Sequence, residues 1–252
     1  MLTSLLPGFR HLRTPFALGV LWAFQIWILV GEYVPGRSGA NGFLERLYVL
    51  GEVTGRAGVT AAISFVLYMG GDIVRLTSTQ MLNLMTRILR ITNVFGNRFS
   101  SLSAQSRYEL REYAEKAFAL RENANDDDVN GLMQKMVMEF AEIRMHLIAS
   151  HLDVYMEHDR YDSEADFRMN VGVYSVSLWG ILAWQWTPWA LIGILASIVL
   201  FDNGLKARRD ANAILVQAVV SRIVESRFFK EEKERDHPAN PSTASITYPN
   251  RR

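Results

Sequence analysis

The sequence predicts an all-α integral membrane protein with four transmembrane helices and a cytoplasmic helical bundle. Two observations carry that expectation. Long apolar runs alternate with segments that hold most of the charge, and the longest charged segment repeats its apolar residues at helical spacing. With 27 basic and 26 acidic side chains in 252 residues, a mean hydropathy of +0.04 requires such segregation. The expected parts are residues 1–74 with two transmembrane helices and an outer loop, and 75–168 as a cytoplasmic helical domain. A transmembrane hairpin (169–204), a cytoplasmic C-terminal helix (205–236) and a disordered tail (237–252) follow.

Two apolar blocks each fit one crossing of about 20 residues. These are PFALGVLWAFQIWILVGEYV (Pro15–Val34) and AGVTAAISFVLYMGGDIV (Ala57–Val74). The third, VGVYSVSLWGILAWQWTPWALIGILASIVLF, runs from Val171 to Phe201 without a charged side chain. As one helix it would measure about 46 Å, against a hydrocarbon core of roughly 30 Å. Pro188 removes a backbone donor in its middle and disfavours helical geometry at Thr187. Trp184, Trp186 and Trp189 cluster there as membrane-interface anchors, because indole prefers the boundary of lipid and water. Basic residues stand at both ends: Arg160 and Arg168 before the block, Lys206, Arg208 and Arg209 after it. A hairpin turning at WTPW leaves both ends in the cytoplasm, as the positive-inside rule prefers.

The other flanks agree, with Arg10 and Arg13 before the first span and Arg75 after the second. The outer loop carries Arg37, Arg46 and Arg56, partly balanced by Glu45 and Glu52. Within it, NGFLERLYVLGE places Phe43, Leu44, Leu47 and Leu50 on one face, as an interfacial helix would. The resulting topology is a multi-pass protein of the cell (inner or plasma) membrane with both termini cytoplasmic.

In the polar part, Met81, Leu84, Met85, Ile88, Ile91 and Phe95 form one helical face. Ser106-x-x-Glu109 has the form of a capping box for a second helix, reaching about Arg121. A third helix is expected from about Asp127 to Asp159. Its seam of Met133, Met136, Phe140, Ile143, Leu147, Ser150 and Val154 alternates steps of three and four. Such a seam belongs inside a bundle or between subunits, and the bundle is the preferred reading. After the hairpin, Ile214, Leu215, Ala218, Val219, Ile223, Val224 and Phe228 cover more than one stripe, which suits a helix buried among several neighbours.

No catalytic constellation is legible, so the chain is not expected to be an enzyme and no cofactor is expected. Absence of cysteine removes disulfides, thiolate metal sites and cysteine nucleophiles. A net charge of +1 argues against a nucleic-acid partner. His146, His151 and His158 share a helix with Glu142, Asp153, Glu157 and Asp159, but no second ligand-bearing helix faces them in the sequence pattern, so no metal ligand is assigned. Polar residues in or beside the spans are the candidate pore or intramembrane groups: Gln25, Glu32, Tyr68, Asp72, Gln185 and Asp202. Small residues, among them Gly51, Gly55, Gly58, Ala61, Ala62, Ser64, Gly70 and Gly71, suit close helix approach in or before the second span.

The order of parts is similar in layout to that of bestrophin channels and of flagellar stator proteins, with no residue motif of either. Layout does not carry function. The expectation is a homo-oligomer in the lipid bilayer that forms a pore or channel-like assembly, gated or assembled by its cytoplasmic helices. The alternative is a membrane-anchored adaptor or inhibitor that docks a protein partner through the same helices.

Overall fold

A computed structural model describes residues 7–77, 80–83, 102–118 and 126–224. All regular structure among these is helical. The helices are α1 (Pro7–Val30), α2 (Phe43–Val74), α3 (Ala104–Phe118), α4 (Asp126–Ser150), α5 (Leu152–Gln185) and α6 (Ile192–Val220). Short 3₁₀ turns occupy Gly31–Tyr33, Arg37–Gly39 and Pro188–Leu191. Two compact units arise, residues 1–101 with 159–211 and residues 102–158 with 212–252, and each is described by itself.

In the first unit α1 and α2 meet backbone to backbone. A Cβ added at Gly71 would overlap the carbonyl oxygen of Pro15, and one at Gly19 would overlap that of Leu67. Only residues without a side chain permit this approach, the device of small residues at helix crossings. Gly55, at φ +68° and ψ 177°, interrupts α2 and divides the expected interfacial helix from the apolar run. Glycine adopts that conformation without the strain a Cβ imposes. The segment before the kink is tied down on one side. Tyr48 donates to the Pro35 carbonyl at 3.2 Å and Glu52 pairs with Arg37. Phe43, Leu47 and Leu50 are exposed.

Helices α5 and α6 form the expected hairpin. The amides of Trp186 and Thr187 both donate to Leu182 O, at 2.9 and 3.2 Å, which closes the last turn of α5. Thr187 is extended and Pro188 opens the 3₁₀ turn, a position where its missing N–H costs nothing. The arms run antiparallel: Gly193 lies against Trp179, Ser197 bonds Ser175 at 2.7 Å, Gly172 lies against Phe201 and Gly204 against Met169. Met81, Leu82, Met169 and Leu205 bury a small apolar cluster in this unit.

Three helical stretches are long and apolar enough to cross a membrane: His11–Tyr33, Phe43–Val74 and Pro188–Val220. Four were expected. Helix α5 is not in this group, because the expected third span is only its second half and the first half, to Asn170, is strongly charged.

The second unit buries Leu110 and Ala114 of α3, Met136, Phe140, Ile143 and Leu147 of α4, and Leu215, Val216, Ala218 and Val219 of α6. Val154 and Tyr155 pack on this core. The predicted seam thus lies inside the chain over Met136–Leu147, while the Met133 side chain is outside the described residues. The expected single helix 127–159 is interrupted at His151. Helical bonding nevertheless runs through it, from His151 N–H to Leu147 O (2.8 Å) and Tyr155 N–H to His151 O (3.1 Å). The start of α3 also differs: Ser103, not Ser106, is the cap. Its Oγ accepts the Ser106 N–H at 3.0 Å, so the helix begins three residues earlier than the Ser106-Glu109 pattern implied. Helix α6 ends with Ile223 N–H on Ala218 O and Arg222 N–H on Val219 O, a left-handed Schellman stop with Arg222 at φ 56°. The 84–97 part of the first polar helix, Phe228 and the 237–252 tail lie outside the described residues.

Gly71→Ala is expected to destabilise the first unit by about 1–3 kcal/mol, the usual cost of forcing atoms into packed space. Gly70→Ala, where nothing lies within 4 Å of the added methyl, is expected to be near neutral or slightly stabilising. Unfolding midpoints of the two variants in the same detergent check the contrast, and equal losses would disprove it.

Candidate functional site

Helix α5 places Asp159, Asp162, Asp166, Asn170, Tyr174 and Ser177 on one face, at steps of three and four. Each has a partner from another part of the first unit. Asp159 faces His11 of α1 at 3.8 Å, Asp162 pairs with Arg208 of α6, and Asp166 takes the guanidinium of Arg75 at 3.0 Å. Ser177 donates to the side-chain oxygen of Gln25 at 3.0 Å, and the Gln25 amide donates to Tyr174 O at 3.2 Å. A single polar face of α5 therefore gathers α1, the end of α2 and α6.

The densest part is the joint that follows α2. A helix end leaves carbonyls without intrahelical donors, and residues 75–77 are not helical. Tyr174 donates its hydroxyl to Val74 O at 2.6 Å. Asn170, fully buried, accepts the Leu76 N–H at 3.1 Å and donates to Leu76 O at 2.7 Å, so its amide acts as a strand-like partner for one residue of linker. The next helix is then started by a reciprocal capping box. Thr77 N–H bonds Gln80 Oε1 at 3.0 Å and Gln80 N–H bonds Thr77 Oγ1 at 3.3 Å. Among the described residues of this stretch, Val74 O, both backbone groups of Leu76 and the amides of Thr77 and Gln80 are met.

Beside this row, Glu164 receives two guanidinium groups, Arg13 at 2.7 Å and Arg168 at 2.8 Å, and Arg13 also lies 4.0 Å over the Phe167 ring. Burial alone would raise the Glu164 carboxyl, but the bonds and charge of Arg13 and Arg168 outweigh it and hold it below its ordinary value of 4.5.

The residues singled out from the sequence distribute as follows. Gln25 is buried, with both ends of its amide engaged within the chain. Glu32 is exposed in the 3₁₀ turn after α1, and Gln185 is exposed at the end of α5. Tyr68 is half-buried and Asp72 exposed, both on one face of α2 with Ala57, Thr60, Ala61 and Ser64. Asp202 is exposed and pairs with Lys206 at 2.8 Å. Trp184, Trp186 and Trp189 are exposed at the hairpin turn. The structure does not bring the six polar candidates into one cluster. Among the described residues no group of three or more His, Cys, Asp or Glu side chains could hold a metal ion, and His146 and His151 are exposed while His158 is buried.

The α5 row is the feature that sequence reasoning missed. Its signal was present: DRYDSEADFRMNVGVYSVS carries polar residues at 159, 162, 166, 170, 174 and 177, a helical period continued from a charged segment into an apolar one. Splitting the chain at 168 hid it.

Asn170→Leu is expected to cost about 1–3 kcal/mol, because the N–H and C=O of the half-buried Leu76 both lose their side-chain partner. Asn170→Gln, with a longer arm, is not expected to restore it. Acid unfolding offers a second check. A carboxyl held low in the folded state adds stability above its ordinary value and loses that contribution as pH falls through the folded value. Wild type is therefore expected to lose stability progressively below pH 4.5, and Glu164→Gln to show a shallower loss over that range. Parallel slopes would contradict this. Compared with family models, curated proteins and solved structures, the chain matches none.

Proposed function

We propose that the chain is a homo-oligomeric, multi-pass protein of the cell membrane, with both termini in the cytoplasm. Its subunits surround a pore or conduit, with the 102–158 and 212–252 unit serving assembly or gating. The observation that carries this reading is α2. Its apolar window is only 6% buried, although it holds Phe65, Val66 and Ile73, each more than 60% exposed. Soluble monomers rarely expose contiguous apolar surface on this scale, and lipid removes the cost. One face of the same helix is not lipid-like. Ala57, Thr60, Ala61, Ser64, Tyr68 and Asp72 are small, hydroxylated or charged, and the first three are exposed. A helix with such a stripe faces other protein or a water path rather than hydrocarbon.

The joint at 74–77 gives this arrangement a way to act, because Asn170 and Asp166 of α5 hold the chain where α2 ends.

The second reading, a membrane-anchored adaptor or inhibitor, is favoured by a different observation. Gln25, Ser175, Ser177 and Ser197 bond one another or backbone within the chain. They leave few unengaged polar groups for a pore.

Planar-bilayer recording of purified protein separates the two. Discrete conductance is expected, with Ala61→Trp reducing it while leaving particle mass unchanged. An oligomer that carries no current would leave the adaptor reading. The topology has its own check: reporters placed after Arg252 and near residue 130 are expected on the same side of the bilayer, and opposite sides would overturn it.

A further inference from the structure

We infer that residues 43–54, the part of α2 before its kink, lie in the outer headgroup layer of the bilayer. Their apolar half rests on the acyl chains and Arg46 meets a lipid phosphate. The inference rests on the multi-pass reading above and names a lipid contact within it. Length is the first argument. Helix α2 has 32 residues, about 48 Å at 1.5 Å per residue, whereas the hydrocarbon core is roughly 30 Å thick. The run that follows Gly55 comes close to crossing that core by itself. The segment before Gly55 therefore belongs outside it, and the break at φ +68° frees the segment from the line of the span.

Exposure supplies the second argument. At 100° per residue the segment divides into two halves. One carries Phe43, Leu47, Val49, Leu50 and Val53, all exposed, with Phe43 at 75% and Val53 at 81%. The rest of the chain covers the other half. There Leu44 and Gly51 are half-buried, Tyr48 donates to Pro35 O at 3.2 Å and Glu52 pairs with Arg37. The apolar half is thus turned away from the protein that holds the segment.

Charge names the occupant. Both carboxylates of the segment, Glu45 and Glu52, stand on the covered half, and Arg46 is the one charge on the apolar half. An arginine stem lies along apolar surface while its guanidinium reaches back to the polar layer. Guanidinium also matches phosphate in bidentate geometry. A helix with one apolar half, a basic side chain to meet phosphate and its acids turned away is built to lie in a membrane interface. With both termini on the inner side, the turn of the α5–α6 hairpin reaches the same side of the bilayer as this segment. That turn exposes Trp184, Trp186 and Trp189, the residue type that marks the boundary of lipid and water.

The chain has no cysteine, so a single introduced one reports from a chosen position. Full-length Leu50→Cys and Glu45→Cys, each labelled with an environment-sensitive fluorophore, are placed in phosphatidylcholine nanodiscs with or without bromine near the head end of the acyl chains. The Leu50→Cys label is expected to emit at shorter wavelength and to lose intensity in the brominated lipid, while the Glu45→Cys label keeps its intensity. Val66→Cys, in lipid brominated near the chain ends, tests the span itself. Quenching at Val66→Cys without quenching at Leu50→Cys overturns the interfacial placement and leaves the membrane reading standing. No quenching at either position overturns both. A Leu50→Cys label that is blue-shifted but unquenched is covered by protein, a second copy or another partner, and overturns the lipid contact. Equal quenching at Leu50→Cys and Glu45→Cys overturns the orientation of the segment. In the Leu50→Cys chain, Arg46→Glu is expected to weaken the quenching and Arg46→Lys to retain it. Unchanged quenching with Arg46→Glu overturns the phosphate contact.

Discussion

The first unit depends on a buried amide. Asn170 has no exposure and bonds both the N–H and the C=O of Leu76 at the point where α2 has stopped being a helix. Without it two backbone groups of a half-buried residue would lose their partner, and the backbone tolerates few such losses. The ion pair of Arg75 with Asp166 and the hydroxyl of Tyr174 on Val74 O extend the same solution one turn to either side. Apolar helices can be packed in many ways by surface alone. A polar joint admits only the register in which its donors and acceptors meet, so specificity here comes from the few polar groups and adhesion from the many apolar ones.

Close approach is the second determinant. Gly19 and Gly71 bring α1 onto α2, and Gly172, Gly193 and Gly204 bring α5 onto α6. Gly51, Gly55, Gly58 and Gly70 looked equivalent in the sequence. Gly70 meets nothing, Gly55 serves a kink, and Gly51 and Gly58 meet only side chains of α2 itself. A glycine pattern therefore states that contact is possible, while the rotation of each helix states where it happens.

The two units use apolar residues differently. In the second, the three-four seam of α4 closes a core with α3 and the end of α6, as a soluble bundle does. In the first, Trp27, Phe65, Val66 and Ile73 face outward, which suits lipid. Helix α5 carries both regimes along its length, polar row first and apolar hairpin arm after it.

By itself the sequence determined the helical class, the reversal at WTPW and the inward seam of α4. Each of these follows from local chemistry: the missing proline donor and the 3.6-residue period. It did not determine that Ser103 rather than Ser106 caps α3, because two hydroxyls three residues apart offer the same pattern and only the backbone path selects one. Nor did it reveal the α5 row, whose meaning lies in what stands opposite it. Partners such as Leu76 for Asn170 are 94 residues distant, and only the tertiary structure, which brings distant donors and acceptors within hydrogen-bonding distance, could decide them.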